Sequence, residues 1–350
     1  MIAVKPRRER WTALVSGLAL LVLAGVLASV RLPFVVWSPG PLLDLYGTAD
    51  GRPVLTVSGV PVYPVSGQLQ VAGVAVTTKT VSLGRGLTAF YAPDQAVLPQ
   101  AVNYPYGEPI AQVAVGQNAQ ETQRAAEAAA LRQAGLPVER APRVVSVISS
   151  GASSGWLLPG DVIEAVGSTT VTSVAEFNQA VALHSVGETI LLTVTRDGKR
   201  LDNQVDIVAQ AANDGQQTPS LGVTMTDSFL LGKVDVQGAP SDVGSSLLLA
   251  LAIYDLVTDG PLLNGLSVAG TGVIDASGIV SGVAGTGERL QAAQKAGAQV
   301  FLLPRSNCAN IPSGSWTMTI VAVASLPEAI TSLQILAAGG SAGQVPTCPV

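Results

Sequence analysis

The chain has 350 residues, 48% of them hydrophobic and 12% charged, about half the usual charged share, so it can bury cores in two or three domains and is no disordered scaffold. The formal charge is −5; Lys5, Arg7, Arg8 and Arg10 against Glu9 put +3 on the first ten residues and leave −8 on residues 11–350, an acidic body without a basic patch, which excludes nucleic acid as a partner. A single histidine, His184, and two cysteines, Cys308 and Cys348, exclude a Cys/His zinc site and a serine–histidine–aspartate triad.

Behind the basic segment 1–10 come the twenty uncharged residues Trp11–Val30, long enough as a helix to cross ~30 Å of hydrocarbon. Positive charge on the N-terminal flank predicts a transmembrane helix over 11–31 at the cell membrane, with residues 1–10 cytoplasmic and all later domains extracytoplasmic. A cleaved signal peptide is the alternative, since Val26-Leu27-Ala28 carries small residues acceptable to a peptidase. The apolar run exceeds a signal core, which favours a retained anchor.

Residues 34–115 read as a β-rich region. Ser38-Pro39-Gly40-Pro41 forms a rigid exit from the membrane, and Val54-Leu55-Thr56-Val57 and Gln68-Leu69-Gln70-Val71 alternate as half-buried strands do. Residues 117–137 hold a linking helix, in which Gln120–Ala134 is rich in helix formers and is closed by Gly135 and Pro137.

From 140 to 209 the pattern is a strand at Val144–Ile148, the turn Leu158-Pro159-Gly160-Asp161 into Val162-Ile163, a helix over Ser173–Leu183, and an alternating strand Thr189–Arg196 ahead of the Asp197-Gly198 hairpin. This resembles a PDZ domain over nearly the whole fold. The resemblance implies binding of extended or unfolded peptide segments and protein C-termini as an added strand, with apolar side chains set against the helix. Val145, Val147, Phe177 and Val181 are the groove candidates, plain core packing being the alternative for each. His184 ends that helix, where dipole compensation accounts for it.

Residues 211–219 are a polar linker, and 220–338 form the last domain. Its organising stretch runs from Gly238 to Ala298. Leu247–Tyr254 is apolar on every side, so a helix there is buried all round, and Ser245 and Ser246 stand at its N-terminus, where backbone N–H groups could serve an oxyanion. Gly270-Thr271-Gly272 and Ile274-Asp275 follow, then the helix Glu288–Ala298.

This order of elements resembles the Lon proteolytic domain, whose serine–lysine dyad uses no histidine. With the anchor and the PDZ pattern, the chain is similar to ATP-independent, membrane-anchored Lon-type serine endopeptidases of bacterial envelopes. In that family the serine lies in a Gly-Pro-Ser-Ala-Gly turn and the lysine opens the helix that ends Ala-Ala-x-x-Ala-Gly-Ala. Counted back from Gly297, the lysine position holds Arg289. Counted back from Ile253-Tyr254 without a gap, the nucleophile position is Gly244; with a three-residue deletion it is Ser245 or Ser246. Thr271 falls on the strand that supports the dyad by hydrogen bonding. An arginine stays protonated and cannot take a serine proton, and Lys295, six residues on, faces elsewhere.

The resemblance therefore implies a degenerate dyad and an inactive, scaffold or regulatory homologue; an active ATP-independent endopeptidase using Ser245 or Ser246 is the alternative. Neither Gly270-Thr271-Gly272 nor Gly285-Thr286-Gly287 runs into Gly-Lys-Ser/Thr, so neither ATP nor any other cofactor is called for. Lon-type domains commonly assemble, which implies a possible homo-oligomer. Strands at Val300–Pro304 and Trp316–Val323 and a helix over Pro327–Ala337 precede a tail, 339–350. Outside the membrane Cys308 and Cys348 could form one disulfide, two free thiols being the alternative. The fold class expected is α+β: transmembrane helix, β-rich juxtamembrane region, PDZ domain and Lon-like α/β domain.

Overall fold

The computed structural model describes residues 6–77, 80–100, 113–149, 151, 153–211, 217–238 and 243–348. In chain order its helices are α1 (Pro6–Ser29), α2 (Leu83–Tyr91), α3 (Val113–Gln133), α4 (Val174–Ala182), α5 (Ser246–Val257), α6 (Thr286–Lys295) and α7 (Leu326–Ala337). The longer strands are β1 (Phe34–Asp44), β2 (Gln68–Val76), β3 (Ala96–Pro99), β4 (Glu139–Val147), β5 (Val162–Val166), β6 (Thr189–Arg196) and β7 (Lys199–Asp206). They continue as β8 (Val208–Ala211), β9 (Gln217–Ser220), β10 (Val223–Leu230), β11 (Ser267–Gly270), β12 (Val300–Pro304) and β13 (Thr319–Val323).

One mixed sheet has the order β13-β12-β11-β2-β1-β3. The four strands from β13 to β2 are parallel, and β1 and β3 extend the sheet antiparallel. The inner strand β12, Val300–Pro304, is an unbroken and fully buried apolar run because helices cover both faces. Val300 and Leu302 point into the larger core with α3, α5 and α7, while Phe301 and Leu303 point to the opposite face, against Leu290 and Ala293 of α6. Every residue from Leu247 to Ile253 of α5 is buried. The four leucines there each contribute roughly 2 kcal/mol by leaving water.

The β-rich residues and the last domain are therefore not separate units, as the sequence pattern led us to expect. Strands β1, β2 and β3 supply half of the sheet, and Leu69 of β2 pairs with Val268 of β11 across nearly two hundred residues. Ser38–Pro41 is no membrane exit but the bulge within β1, where the register to β2 shifts between Pro39 and Leu42. At Gly40 an added Cβ would stand 2.7 Å from the carbonyl carbon of Gly73, so only glycine lets these backbones approach. Helix α3, expected as a linker, puts Ala126 and Ala128–Leu131 into the main core.

The second sheet, β7-β6-β5-β4-β10, is antiparallel and carries α4. It takes residues 139–230 and thus claims β10, which the sequence reading had placed in the last domain. Helix α1 is long and apolar enough over Trp11–Ser29 to cross a membrane and is exposed along that span. The tail is tied down, since Ala322 N donates to Pro346 O at 2.8 Å and Cys348 is joined to Cys308 by a disulfide.

Candidate functional site

Two places carry chemistry, the N-terminus of α5 and the edge of the second sheet. At the first, Val243–Ser245 form a single tight turn leading into α5. The Gly244 carbonyl accepts from Gly272 N at 2.8 Å and from Thr271 Oγ1 at 2.9 Å, and Leu247 N donates to Gly272 O at 3.1 Å. Thr271, fully buried, thus holds the turn in place. Ser246 Oγ accepts from Ile274 N at 3.0 Å and lies 3.4 Å from Gly272 O, so its hydroxyl works as a buckle between α5 and the strand that follows β11. Ser245 is the N-cap residue, 1% exposed.

Arg289 lies one turn into α6, where the helix dipole disfavours a cation. It is 7% exposed and its charge is met by main-chain oxygens: Nε donates to Ala284 O at 3.2 Å and Nη1 to Ala72 O of β2. A Cβ built on Gly244 would stand 3.0 Å from Arg289 Nη2 and 3.4 Å from its Cζ. The guanidinium therefore fills the space that a side chain at 244 would need. The position aimed at Arg289 is the one that the ungapped count marks as the nucleophile, and it has no side chain. Arginine offers only donors, so this pair holds neither a nucleophile nor a base.

At the second place the groove candidates divide. Phe177 and Val181 of α4 are both 3% exposed and pack into the core of this sheet. Val145 and Val147 sit on β4, an inner strand between β5 and β10, where no further strand can be added. Val145 is the bulge residue, since Val144 pairs with Met225 and Ser146 with Thr224. It lines a cavity of about 400 Å³ beside Arg124 and Arg143. Val147 pairs with Val223 and packs at the margin of the core.

Among the described residues the sheet ends in β7 on one side and in β10 on the other, and β10 is the end strand that is tied to α4. Leu221 is 1% exposed in the core, and Val223 and Met225 are half-buried against it. Asp227 Oδ1 accepts from Val174 N at 2.7 Å, which fixes the start of α4 to β10 and satisfies one donor of the helix's first turn. Sequence reasoning missed these residues because they follow the polar stretch 211–219 and were assigned to the next domain; the alternation Val223-Thr224-Met225-Thr226 was the available signal. Asp161 of the turn before β5 is structural, since both its oxygens take Arg196, at 2.6 and 2.7 Å. His184 Nδ1 lies 2.8 Å from Glu188 Oε1 beyond the end of α4.

Comparison with known proteins bears on this second place. Residues 118–207 match the PDZ-domain family model. The chain is 37% identical over 79 residues to "Serine protease Do-like HtrA" of Lactococcus lactis, a match over 22% of this chain and 19% of that protein, so it spans about a fifth of the relative's length. The solved PDZ domain of an SdrC-like protein from Listeria monocytogenes is similar at 24% identity, covering 24% of this chain and 86% of that one with a TM-score of 0.22. Its counterpart from Listeria innocua is 22% identical over 24% of this chain and 92% of that one, with the same TM-score. The molecule is a mixed α/β protein with an N-terminal apolar helix and a PDZ domain.

Proposed function

We propose that this chain is a membrane-anchored, extracytoplasmic peptide-binding protein built on a Lon-type proteolytic fold that has lost its dyad. Helix α1 is the anchor, with the N-terminus in the cytoplasm. The PDZ domain takes extended peptide ends as a strand added to the open edge of β10, their apolar side chains lying toward Leu221, Val223, Met225 and α4. The α/β body presents and orients bound chains and does not cut them. One observation carries this reading: Gly244, at the nucleophile position, faces the Arg289 guanidinium 3.0 Å from where its Cβ would be. The protease in the name of the Lactococcus relative supports a setting in proteolysis, with this protein serving as a scaffold or regulator of an active enzyme.

The test compares cleavage of unfolded casein by the full chain with that by the Gly244→Ser, Arg289→Lys double variant, beside fluorescence-anisotropy binding of C-terminal peptides. The native chain is expected to bind peptide and leave casein intact, and the double variant to gain cleavage. Casein cleavage by the native chain that disappears on Ser245→Ala or Ser246→Ala overturns the reading in favour of a working endopeptidase.

A further inference from the structure

We infer that α2 is a membrane-surface helix that seats the extracytoplasmic body on the bilayer; this rests on reading α1 as a retained span. Leu87, Phe90 and Tyr91 are 50%, 72% and 76% exposed. At spacings of three and four residues they form one face of α2, while Gly86 and Ala89 form the other, which is buried. A contiguous apolar face on a soluble body calls for a partner, and the place of α2 in the fold names it.

Helix α2 is fastened to the outer end of the span. Arg31–Leu32 pair with Val81–Ser82, and Leu83 N donates to Val30 O at 2.8 Å. At Gly84 an added Cβ would stand 3.2 Å from Leu27 O and 3.4 Å from Leu27 Cβ, so the two helices touch backbone to backbone near the end of the apolar run Trp11–Ser29. When α1 crosses the bilayer, α2 is held at the level where acyl chains meet headgroups. Phe90 and Tyr91 then occupy the aromatic belt, and the exposed Arg31 and Arg85 stand at phosphate depth. The occupant of this face is the lipid interface.

The test uses the full chain in vesicles of phosphatidylcholine and phosphatidylglycerol, with a nitrobenzoxadiazole dye on single cysteines; both native cysteines are held in the disulfide. Phe90→Cys reports the proposed face. Leu21→Cys, 71% exposed, reports the span, and Leu183→Cys, 84% exposed on the PDZ domain, reports water. Lipids spin-labelled near the headgroup are expected to remove at least about half the emission at 90, as for an interfacial side chain, and to leave 183 unchanged. Deep-labelled lipids are expected to quench 21. Quenching at 21 with position 90 behaving like 183 overturns the surface helix and leaves the anchor standing. Loss of quenching at both positions overturns both readings. Energy transfer between position-90 dyes on two copies, without lipid quenching, assigns the face to self-association and likewise overturns the proposal.

Discussion

The two candidate sites differ in what fills them. At the start of α5 the space beside the turn is taken by the chain's own Arg289, locked to the carbonyls of Ala72 and Ala284. Along β10 the strand's outer edge has no neighbouring strand among the described residues, and half-buried apolar side chains line it. Catalysis needs room for a nucleophile and a group that can accept its proton; recognition by strand addition needs only an unpaired edge and a pocket. Beside Gly244 a guanidinium occupies the space, whereas β10 leaves, among the described residues, an edge to which the proposed peptide strand can be added.

The largest effect that would break this contrast comes from Arg289. Arg289→Ala strips buried carbonyls of their donors and leaves a void between α6 and β2, at an expected cost of about 3 kcal/mol. Thermal or urea unfolding measures it, and a loss below about 0.5 kcal/mol, the range of ordinary surface substitutions, means that the guanidinium does not fill the site. Gly244→Ser comes next. Its Cβ meets the guanidinium at 3.0 Å, and overpacking of this kind costs roughly 1–3 kcal/mol. Arg289→Lys removes the obstructing head group, so the two changes are expected to couple by about 1–2 kcal/mol in a double-mutant cycle. Additive effects would mean that residues 244 and 289 do not compete for one space.

At the open site a single substitution moves binding more than stability. Met225→Lys places a charge on the groove floor and is expected to weaken peptide binding about tenfold, near 1.4 kcal/mol, while unfolding shifts by less than about 1 kcal/mol. Val145→Lys on the bulge of β4 serves as the control and is expected to leave peptide affinity unchanged. The opposite pattern would return the groove to β4.

Of the two places, only the elements around α5 were legible in the sequence. The all-round apolar stretch Leu247–Tyr254 required a buried helix, and the count back from Gly297 placed Arg289 where the structure sets it against Gly244. The ungapped count had also reached Gly244, whereas Ser245 and Ser246 drew notice because a serine at a helix start reads as a nucleophile or a cap. A Cβ at 244 would meet the guanidinium, which is the geometry that ties this position to Arg289. Local patterns could not show that Gln68–Val71 pairs in parallel with Ser267–Gly270, because alternation reports which face is buried and not which strand lies alongside. The groove strand was hidden for the same reason: β10 follows a polar stretch and returns to pair with β4, some eighty residues back.

The smallest effect tests whether the core beneath the closed site carries a hidden charge. Asp255 of α5 is 1% exposed, accepts from Tyr46 Oη at 2.7 Å and from Leu262 N at 2.9 Å, and its carboxyl is pushed up by burial, an effect those two hydrogen bonds only partly oppose. A raised carboxyl favours the folded state fully below the unfolded value near 3.9, and that contribution is lost as pH rises through the folded value. Glu127, buried in α3, acts with the same sign. Asp255→Asn keeps an oxygen for Leu262 N and an amide for the Tyr46 hydroxyl but does not ionise. The variant is expected to lose less stability than the native chain between weakly acidic and neutral pH, a difference read by melting temperature across that range. Equal slopes would mean that Asp255 remains ionised throughout, and that the pairing with Tyr46 supplies what burial takes away.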